Sequence, residues 1–410
     1  MANVNVLLGE NGSGKSTLLG ALALGVLAPV LVEQSGFVPI DLINKRARHS
    51  RAALSATLGL HQQDFRQGPG LGQARGPFQV ELIIDRRHAH ERCVLPRRKS
   101  RSLPKELSLQ YFDDRSAAFF VVGYAATRRV EPRKSSDRPF RSDQRVLRYQ
   151  RVASLIEDEV TLTPLETWLP KLKFENPTRF KQVVALMNSL LPAEVEFASQ
   201  LDENRWPNQY LYLVRAIEIP FGALSDGYRG YVGWITDLLY HVCMGCPAGA
   251  KLVDNRGLVL VDEIDRHLHP EWQRSVVSTV SAALPNLQFV FTTHSPIVAG
   301  SVASANLCVL EVDKNGEATI APAAESVYGL ASDQVLTSSL FKLRTTRAPQ
   351  AVDRIEELRK LARQGDAKAS WEMMRIMAIG LDPHTPSDHT RKPSRKSATR
   401  GRSRLALTRT

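Results

Sequence analysis

The sequence predicts an α/β protein whose core is a parallel sheet flanked by helices. Three observations carry that expectation. Apolar runs at 4–8, 258–261, 289–292 and 307–312 are short and nearly uninterrupted, as in strands buried on both faces. Helical patterns at 17–27, 230–240 and 271–284 alternate with them, the order that parallel strands need for their crossovers. The first three runs also stop at glycine or at polar residues, so the chemistry collects at the C-terminal ends of the strands, where open α/β sheets bind ligands.

The first run stops at Gly9, and Gly9-Glu10-Asn11-Gly12-Ser13-Gly14-Lys15-Ser16-Thr17 matches G-x-x-x-x-G-K-[ST] without deviation, with a strand before it and a helix after. Each residue type follows from wrapping a backbone around phosphate. Gly12 and Gly14 bring no Cβ into the loop, so successive N–H groups converge on one anion. The positive end of the following helix faces the same point. Lys15 reaches the β- and γ-phosphates of a nucleotide, and the Ser16 hydroxyl suits Mg²⁺. Asn11, Gly12, Ser13, Gly14, Lys15, Ser16 and Thr17 are therefore the candidate ATP phosphate ligands. The helix, rich in Leu and Ala, is expected to close near Pro29.

Leu258-Val259-Leu260-Val261-Asp262-Glu263 is four apolar residues ending in two acids. Asp262 would complete the Mg²⁺ shell with Ser16, and Glu263 would polarise the attacking water. Phe289-Val290-Phe291-Thr292-Thr293-His294-Ser295 repeats the design, with His294 placed to donate to a γ-phosphate. Leu224-Ser225-Asp226-Gly227 precedes a helix, with Ser225 and Asp226 as candidate N-caps.

Between these motifs the chain reads as polar over 46–75, with a Gly-rich stretch at 68–72 and strands at 78–85 and 118–124. Amphipathic helices fill 150–193, a strand follows at 211–217, and one or two small helices occupy 349–377. The Ser/Thr/Pro/Arg/Lys-rich stretch 381–410 is expected to be disordered.

The formal charge of +12 is unevenly distributed. Residues 86–151 carry +11 and residues 391–410 carry +8, which leaves the remainder at −7. Two basic segments on a mildly acidic core point to a polyanion, with Arg97, Arg98, Lys99 and Arg101 as candidate contacts to DNA or RNA phosphates. The longest nearly apolar run, 18–32, is interrupted by Gly20, Gly25 and Pro29 and falls short of the roughly 18–20 residues that span a bilayer. No signal peptide is expected, because no charged segment leads into a cleavable apolar stretch. Four cysteines are too few for a disulfide scaffold in a chain of 410 residues, and a lone Cys243-Met244-Gly245-Cys246 lacks the second pair that zinc needs. A cytoplasmic protein is expected, with no membrane partner.

The four motifs together resemble the ABC-type ATPase superfamily, in its SMC-, RecF- and OLD-like soluble branch. Asp262-Glu263-Ile264-Asp265-Arg266-His267-Leu268-His269-Pro270 is similar to the D-E-x-x-x-x-L-H-P form used there, and Thr292-Thr293-His294-Ser295-Pro296 fits the switch of that branch. Tyr328-Gly329-Leu330 and the stretch from Ser332 to Phe341 resemble predicted bacterial virulence and defence ATPases of the Septu- and retron-associated type. The resemblance implies a P-loop NTPase with an ABC-type head, binding ATP and Mg²⁺ and dimerising head to tail on ATP. Glu263 and His294 would be catalytic. Ser225 and Gly227 would be the signature residues that touch the γ-phosphate bound to the opposite subunit.

It also implies an organisation. Residues 1–45 would be the first half of the ATPase core, with the family's N-terminal β region missing, and 216–345 the second half. Between them would lie a basic β/loop region (46–150) and a helical insert (151–215), followed by a small helical extension (346–380) and the basic tail (381–410). The family's Q-loop falls either at Gln79 or in Gly123-Tyr124-Ala125-Ala126-Thr127-Arg128-Arg129, where Arg128 or Arg129 would be phosphate-proximal or structural. With no toprim-like acidic cluster after the core, a nuclease, reverse transcriptase or toxin would be a separate effector. The alternatives are an ATP-binding scaffold with negligible turnover that holds an effector inactive and, further off, a transporter nucleotide-binding subunit.

Overall fold

In a computed structural model of the chain, the described residues are 1, 3–34, 51–59, 77–87, 90–94, 116–128, 147–157, 160–201 and 209–381. The strands in chain order are β1 (Val4–Gly9), β2 (Arg51–Leu58), β3 (Phe78–Arg87), β4 (His90–Val94), β5 (Val121–Tyr124) and β6 (Val195–Leu201). They continue with β7 (Tyr210–Val214), β8 (Ile217–Pro220), β9 (Gly257–Val261), β10 (Leu287–Thr292), β11 (Leu307–Val312) and β12 (Ala318–Pro322). The helices are α1 (Lys15–Gln34), α2 (Leu147–Gln150), α3 (Leu165–Glu175), α4 (Pro177–Leu190) and α5 (Asp226–Gly245). After them come α6 (Pro270–Ala283), α7 (Pro296–Gly300), α8 (Ser332–Thr337), α9 (Pro349–Arg363) and α10 (Ala367–Ile379).

Six strands make the central sheet, in the order β12-β11-β1-β10-β9-β5. All neighbours are parallel except β12, which returns antiparallel on β11. This is a mixed α/β architecture with a mostly parallel sheet, as expected, and the three motif-bearing strands β1, β10 and β9 lie side by side. Their side chains divide between two faces with the period of two that a strand imposes. Val259, Val261, Phe289 and Phe291 pack with Trp234, Leu238 and Val242 of α5 on one face, while Leu260 packs with Leu19 and Leu24 of α1 on the other. α1 is apolar nearly all round because it is covered twice: Val80 and Leu82 of a separate antiparallel sheet, β2-β3-β4, close over its outer side. A third sheet, β6-β7-β8, contributes Phe197, Tyr210 and Tyr212 to the larger core.

Three expectations need correction. The stretch 211–217 is not one strand: β7 and β8 form a hairpin, turning at Arg215 and Ala216 with φ of 51° and 65°. Such a turn usually advertises itself by Asn-Gly or Asp-Gly, and neither residue here carries that signal. α1 runs past Pro29 to Gln34, since a single proline lacks one backbone donor but keeps a helical φ, so the pattern resumes beyond it. α5 starts four residues earlier than its apolar pattern suggests, directly after Ser225. The candidate contacts Arg97, Arg98, Lys99 and Arg101, together with Arg129, the Gly-rich 68–72 stretch and 382–410, lie outside the described residues.

The chain divides into two compact units, Met1–Arg344 and Thr345–Thr410. The second holds the α9–α10 hairpin, closed over Ile355, Leu358, Ala369 and Ile376. Asp366 caps α10 by accepting from the amides of Lys368 and Ala369, and Arg354 joins the helices through Glu372 at 2.9 Å. Among the described residues no helix is long and apolar enough to cross a membrane.

Candidate functional site

β1 delivers the chain to the loop and α1 carries it away. Gly12 and Gly14 hold φ of +78° and +97°, and a Cβ at either would meet nothing within 4 Å. Backbone conformation, not crowding, is what calls for glycine there. Lys15, only 6% exposed, turns back on the loop and donates from Nζ to the carbonyls of Gly9 and Glu10, each at 2.8 Å. Burial pulls its ammonium below the ordinary lysine value, against the opposing pull of Asp262 and Glu263. Ser13 Oγ is buried with no hydrogen-bond partner among the described residues.

The acidic strand arrives from the side. Ser16 Oγ donates to Asp262 Oδ2 at 2.5 Å, so the start of α1 and the end of β9 meet at one carboxylate. Thr292 Oγ1, at the end of β10, donates to the other oxygen, Asp262 Oδ1, and accepts from the Glu263 amide at 2.8 Å. Asp262 thus stands with both oxygens engaged by hydroxyls while 5% exposed. A buried carboxylate facing a serine hydroxyl beside an anion-binding loop is a hard-oxygen donor set that fits Mg²⁺.

Glu263 adopts φ of +46°, left-handed for a residue with a side chain. Conformations of this kind cost on the order of 1–3 kcal/mol and persist where neighbours over-determine them. Here the amide is held by Thr292, the carbonyl accepts from the Arg266 amide at 3.0 Å and from Arg128 Nη2 at 2.6 Å, and the carboxylate pairs with Arg266 at 3.3 Å. Burial lowers the Arg128 guanidinium to about 10, opposed by Asp265 and Asp262. Thr293 Oγ1 donates to Asp265 at 2.5 Å. His294 is half-buried, and its pKa lies below the ordinary histidine value through burial and the nearby Lys15 charge, against Asp265, Glu263 and Asp262.

The structure therefore gathers Lys15, Ser16, Asp262, Glu263 and His294 at the C-terminal edge of three adjacent strands. Asn11 and Thr17 are exposed at the same loop. Ser225 and Gly227 stand at the head of α5, the first exposed and the second half-buried. Ser225 occupies the N-cap position of α5 but its hydroxyl makes no capping bond, contrary to the expected capping role, and it is exposed. Gly227 packs so tightly on the loop after Glu263 that a Cβ would lie 2.9 Å from the His267 carbonyl oxygen. Gln79 sits in the β2-β3-β4 sheet, whereas Tyr124–Arg128 leave β5 directly beside Asp262 and Glu263.

Thr292 escaped the reading of the sequence because a threonine closing an apolar strand looks like ordinary β-propensity. So did a buried cluster behind the site: Tyr124 Oη donates to Asp237 Oδ2 at 2.8 Å, the Thr163 amide to Oδ1 at 2.7 Å, and His241 Nε2 lies 3.4 Å from Asp237. Burial works against the Asp237 carboxylate, yet His241 and these donors hold it below the usual range. Asp237 and His241 are four residues apart on one helix, the only trace the sequence offers. At the Cys-x-x-Cys, burial pushes the Cys243 thiol up to about 11, and Arg179 donates to Cys246 Sγ at 3.1 Å. Among the described residues no group of three or more His, Cys, Asp or Glu is placed to hold a metal.

A family model described as "AAA domain, putative AbiEii toxin, Type IV TA system" matches residues 4–299, the span that holds the phosphate loop, the 224–227 turn, the acidic strand end and His294. The chain belongs to this family. Among curated proteins of similar sequence is the "Septu protein PtuA" of Bacillus thuringiensis, 29% identical over 41% of this chain and 44% of that one. The "Retron Ec83 probable ATPase" of Escherichia coli is 32% identical over 46% of this chain and 33% of its own. The chain thus spans less than half the length of these curated relatives. Among solved structures, the "SMC head domain from Thermotoga maritima" aligns over 79% of this chain and 92% of its own, at 14% identity and a TM-score of 0.41.

Proposed function

We propose that the protein is a Mg²⁺-dependent ATPase that works as a head-to-tail dimer. The observation that carries the reading is the 2.5 Å contact between Ser16 Oγ and Asp262 Oδ2, which joins the phosphate loop to the acidic strand at one point. Ser16 and Asp262 would hold Mg²⁺, whose role when bound is to neutralise phosphate charge. Lys15 and the loop amides between Asn11 and Thr17 bind the phosphates, Glu263 orients and deprotonates the attacking water, and His294 donates to the γ-phosphate. The exposed Ser225 hydroxyl and the backbone at Gly227, free of intramolecular caps, would bind the γ-phosphate held by the opposite subunit. Hydrolysis then reopens the sandwich, so that ATP acts as a switch or clamp.

In this reading 1–45 and 216–345 form the two halves of the nucleotide head, with 46–150 and 151–215 inserted between them and 346–380 and 381–410 appended. The names of its relatives, Septu and retron components among them, support a place in a defence-type assembly with a nuclease, reverse transcriptase or toxin as a separate effector. The basic segment with Arg97, Arg98, Lys99 and Arg101 would face nucleic acid.

Glu263→Gln tests the reading. It keeps the binding contacts and removes the base, so the expected result is ATP hydrolysis at least a hundredfold slower and a dimer on light-scattering chromatography with Mg·ATP. A protein that stays monomeric at saturating Mg·ATP refutes the sandwich, and one that hydrolyses at the wild-type rate refutes the role of Glu263.

A further inference from the structure

The segment from Tyr124 to Arg128 touches two parts of the protein at once. Toward the site, the Tyr124 carbonyl accepts from the Asp262 amide at 2.8 Å, and Arg128 Nη2 donates to the Glu263 carbonyl at 2.6 Å. Away from it, Tyr124 Oη donates to Asp237, and the Arg128 guanidinium lies 5.7 Å from the centroid of Trp234. Asp237 and Trp234 both belong to α5, whose first residue follows Ser225.

The carbonyl that Arg128 grips belongs to the residue with the strained backbone. The other restraints on Glu263 come from close by: Arg266 is three residues on, and Thr292 ends the adjoining strand. The Arg128 contact is of another kind, because its far side rests on a helix that starts at the signature turn. A guanidinium suits this double duty. One of its N–H groups donates while its delocalised charge lies over an indole within cation–π range, and a compact ammonium cannot do both from one position.

We propose that Arg128 is a positioning residue, fixing the Glu263 carbonyl and with it the aim of the carboxylate, and referring that geometry to α5 through Trp234. The proposal rests on Glu263 acting in hydrolysis as above. It gives α5 a route to the reaction. When Ser225 at the head of this helix engages a nucleotide, a shift of α5 reaches the backbone of Glu263 through one side chain. The competing explanation is plain charge balance, since Asp262, Glu263 and Asp265 surround the same guanidinium.

The test compares full-length Arg128→Lys, Arg128→Gln, Trp234→Phe and Glu263→Gln for ATP affinity, kcat and amide exchange over residues 262–268. Positioning predicts that Arg128→Lys and Arg128→Gln each lower kcat at least tenfold, leave ATP Kd within threefold, and speed exchange at 262–268. Trp234→Phe, which keeps an aromatic face, should lower kcat by less. Adding Arg128→Gln to Glu263→Gln should cost no further turnover. Arg128→Lys supplies the charge alone, so wild-type turnover in that variant overturns the proposal. A loss of ATP affinity as large as the loss of kcat also overturns it, because the site has then collapsed as a whole. If Arg128→Gln does not fold, Arg128→Lys and Trp234→Phe still decide. Failure of the two readings is separable: an inert Glu263→Gln with an active Arg128→Lys removes only the positioning role, whereas an active Glu263→Gln removes both.

Discussion

Thr292→Val tests whether the acidic pair is held by a shared hydroxyl. Thr292 is fully buried, and its Oγ1 donates to Asp262 Oδ1 while accepting from the Glu263 amide at 2.8 Å. Valine has nearly the same shape, so no cavity opens and the loss is polar. A hydrogen bond to an ionised carboxylate contributes about 1.5–3 kcal/mol, and a buried amide left without an acceptor costs about 1–3 kcal/mol. Burial of the added methyl returns about 0.8 kcal/mol of this, for a net of about 2–5 kcal/mol. At about 2.1 cal/mol/K per residue, a unit the size of Met1–Arg344 unfolds with an entropy of about 0.7 kcal/mol/K, so the melting temperature of that unit should fall by about 5 °C. Differential scanning calorimetry of the full chain reads the shift. Thr292→Ser, which keeps the hydroxyl, should lose about 1 kcal/mol for its missing methyl. Turnover should drop at least tenfold in the valine variant, because Glu263 then loses a restraint on its left-handed backbone. A valine variant that melts within 1 °C or so of wild type and turns over normally would refute the clasp.

Two further outcomes follow from the site. His294 is neutral at pH 7 because burial and Lys15 hold its pKa down. The unfolded chain takes up that proton first, so stability is unaffected above the ordinary value of about 6.5 and is lost as pH falls below it. The His294 ring, followed by NMR in the nucleotide-free protein between pH 5 and 8, should likewise titrate with its midpoint below about 6.5, and a midpoint at or above that value contradicts the burial argument. At Gly227 an added methyl would meet the His267 carbonyl oxygen at 2.9 Å. That atom is backbone and cannot swing aside, so Gly227→Ala should cost about 1–3 kcal/mol. In the Glu263→Gln background it should abolish the ATP-trapped dimer on light-scattering chromatography while nucleotide affinity stays, and an intact dimer would count against the trans role of this turn.

Much of the candidate site was legible in the sequence, because it is built from local signals. A loop that wraps an anion needs glycines at fixed offsets from a lysine and a serine. A buried strand that ends in Asp262 and Glu263 contradicts its own apolar character at one place only. The strand–helix alternation that makes a parallel sheet brings these ends to one edge, so sequence order alone placed Lys15, Ser16, Asp262 and His294 together. Helix and strand limits were less legible where the deciding residue carries no signal of its own: Arg215-Ala216 turn a hairpin without glycine, and α5 starts at Asp226 before its apolar pattern begins.

What only the tertiary structure decided is how the acids are held. Thr292 reaches Asp262 and Glu263 across thirty and twenty-nine positions of chain, and Arg128 reaches Glu263 across 135. No periodicity or spacing records such a bond, because its two ends share no element and either residue would serve equally well in a different role. The same holds for the left-handed backbone of Glu263 and for Asp237, buried with Tyr124 and His241. Local sequence determines which groups line an edge of the sheet. Their aim is set by contacts between strands and helices that only the folded chain brings within a hydrogen bond's length.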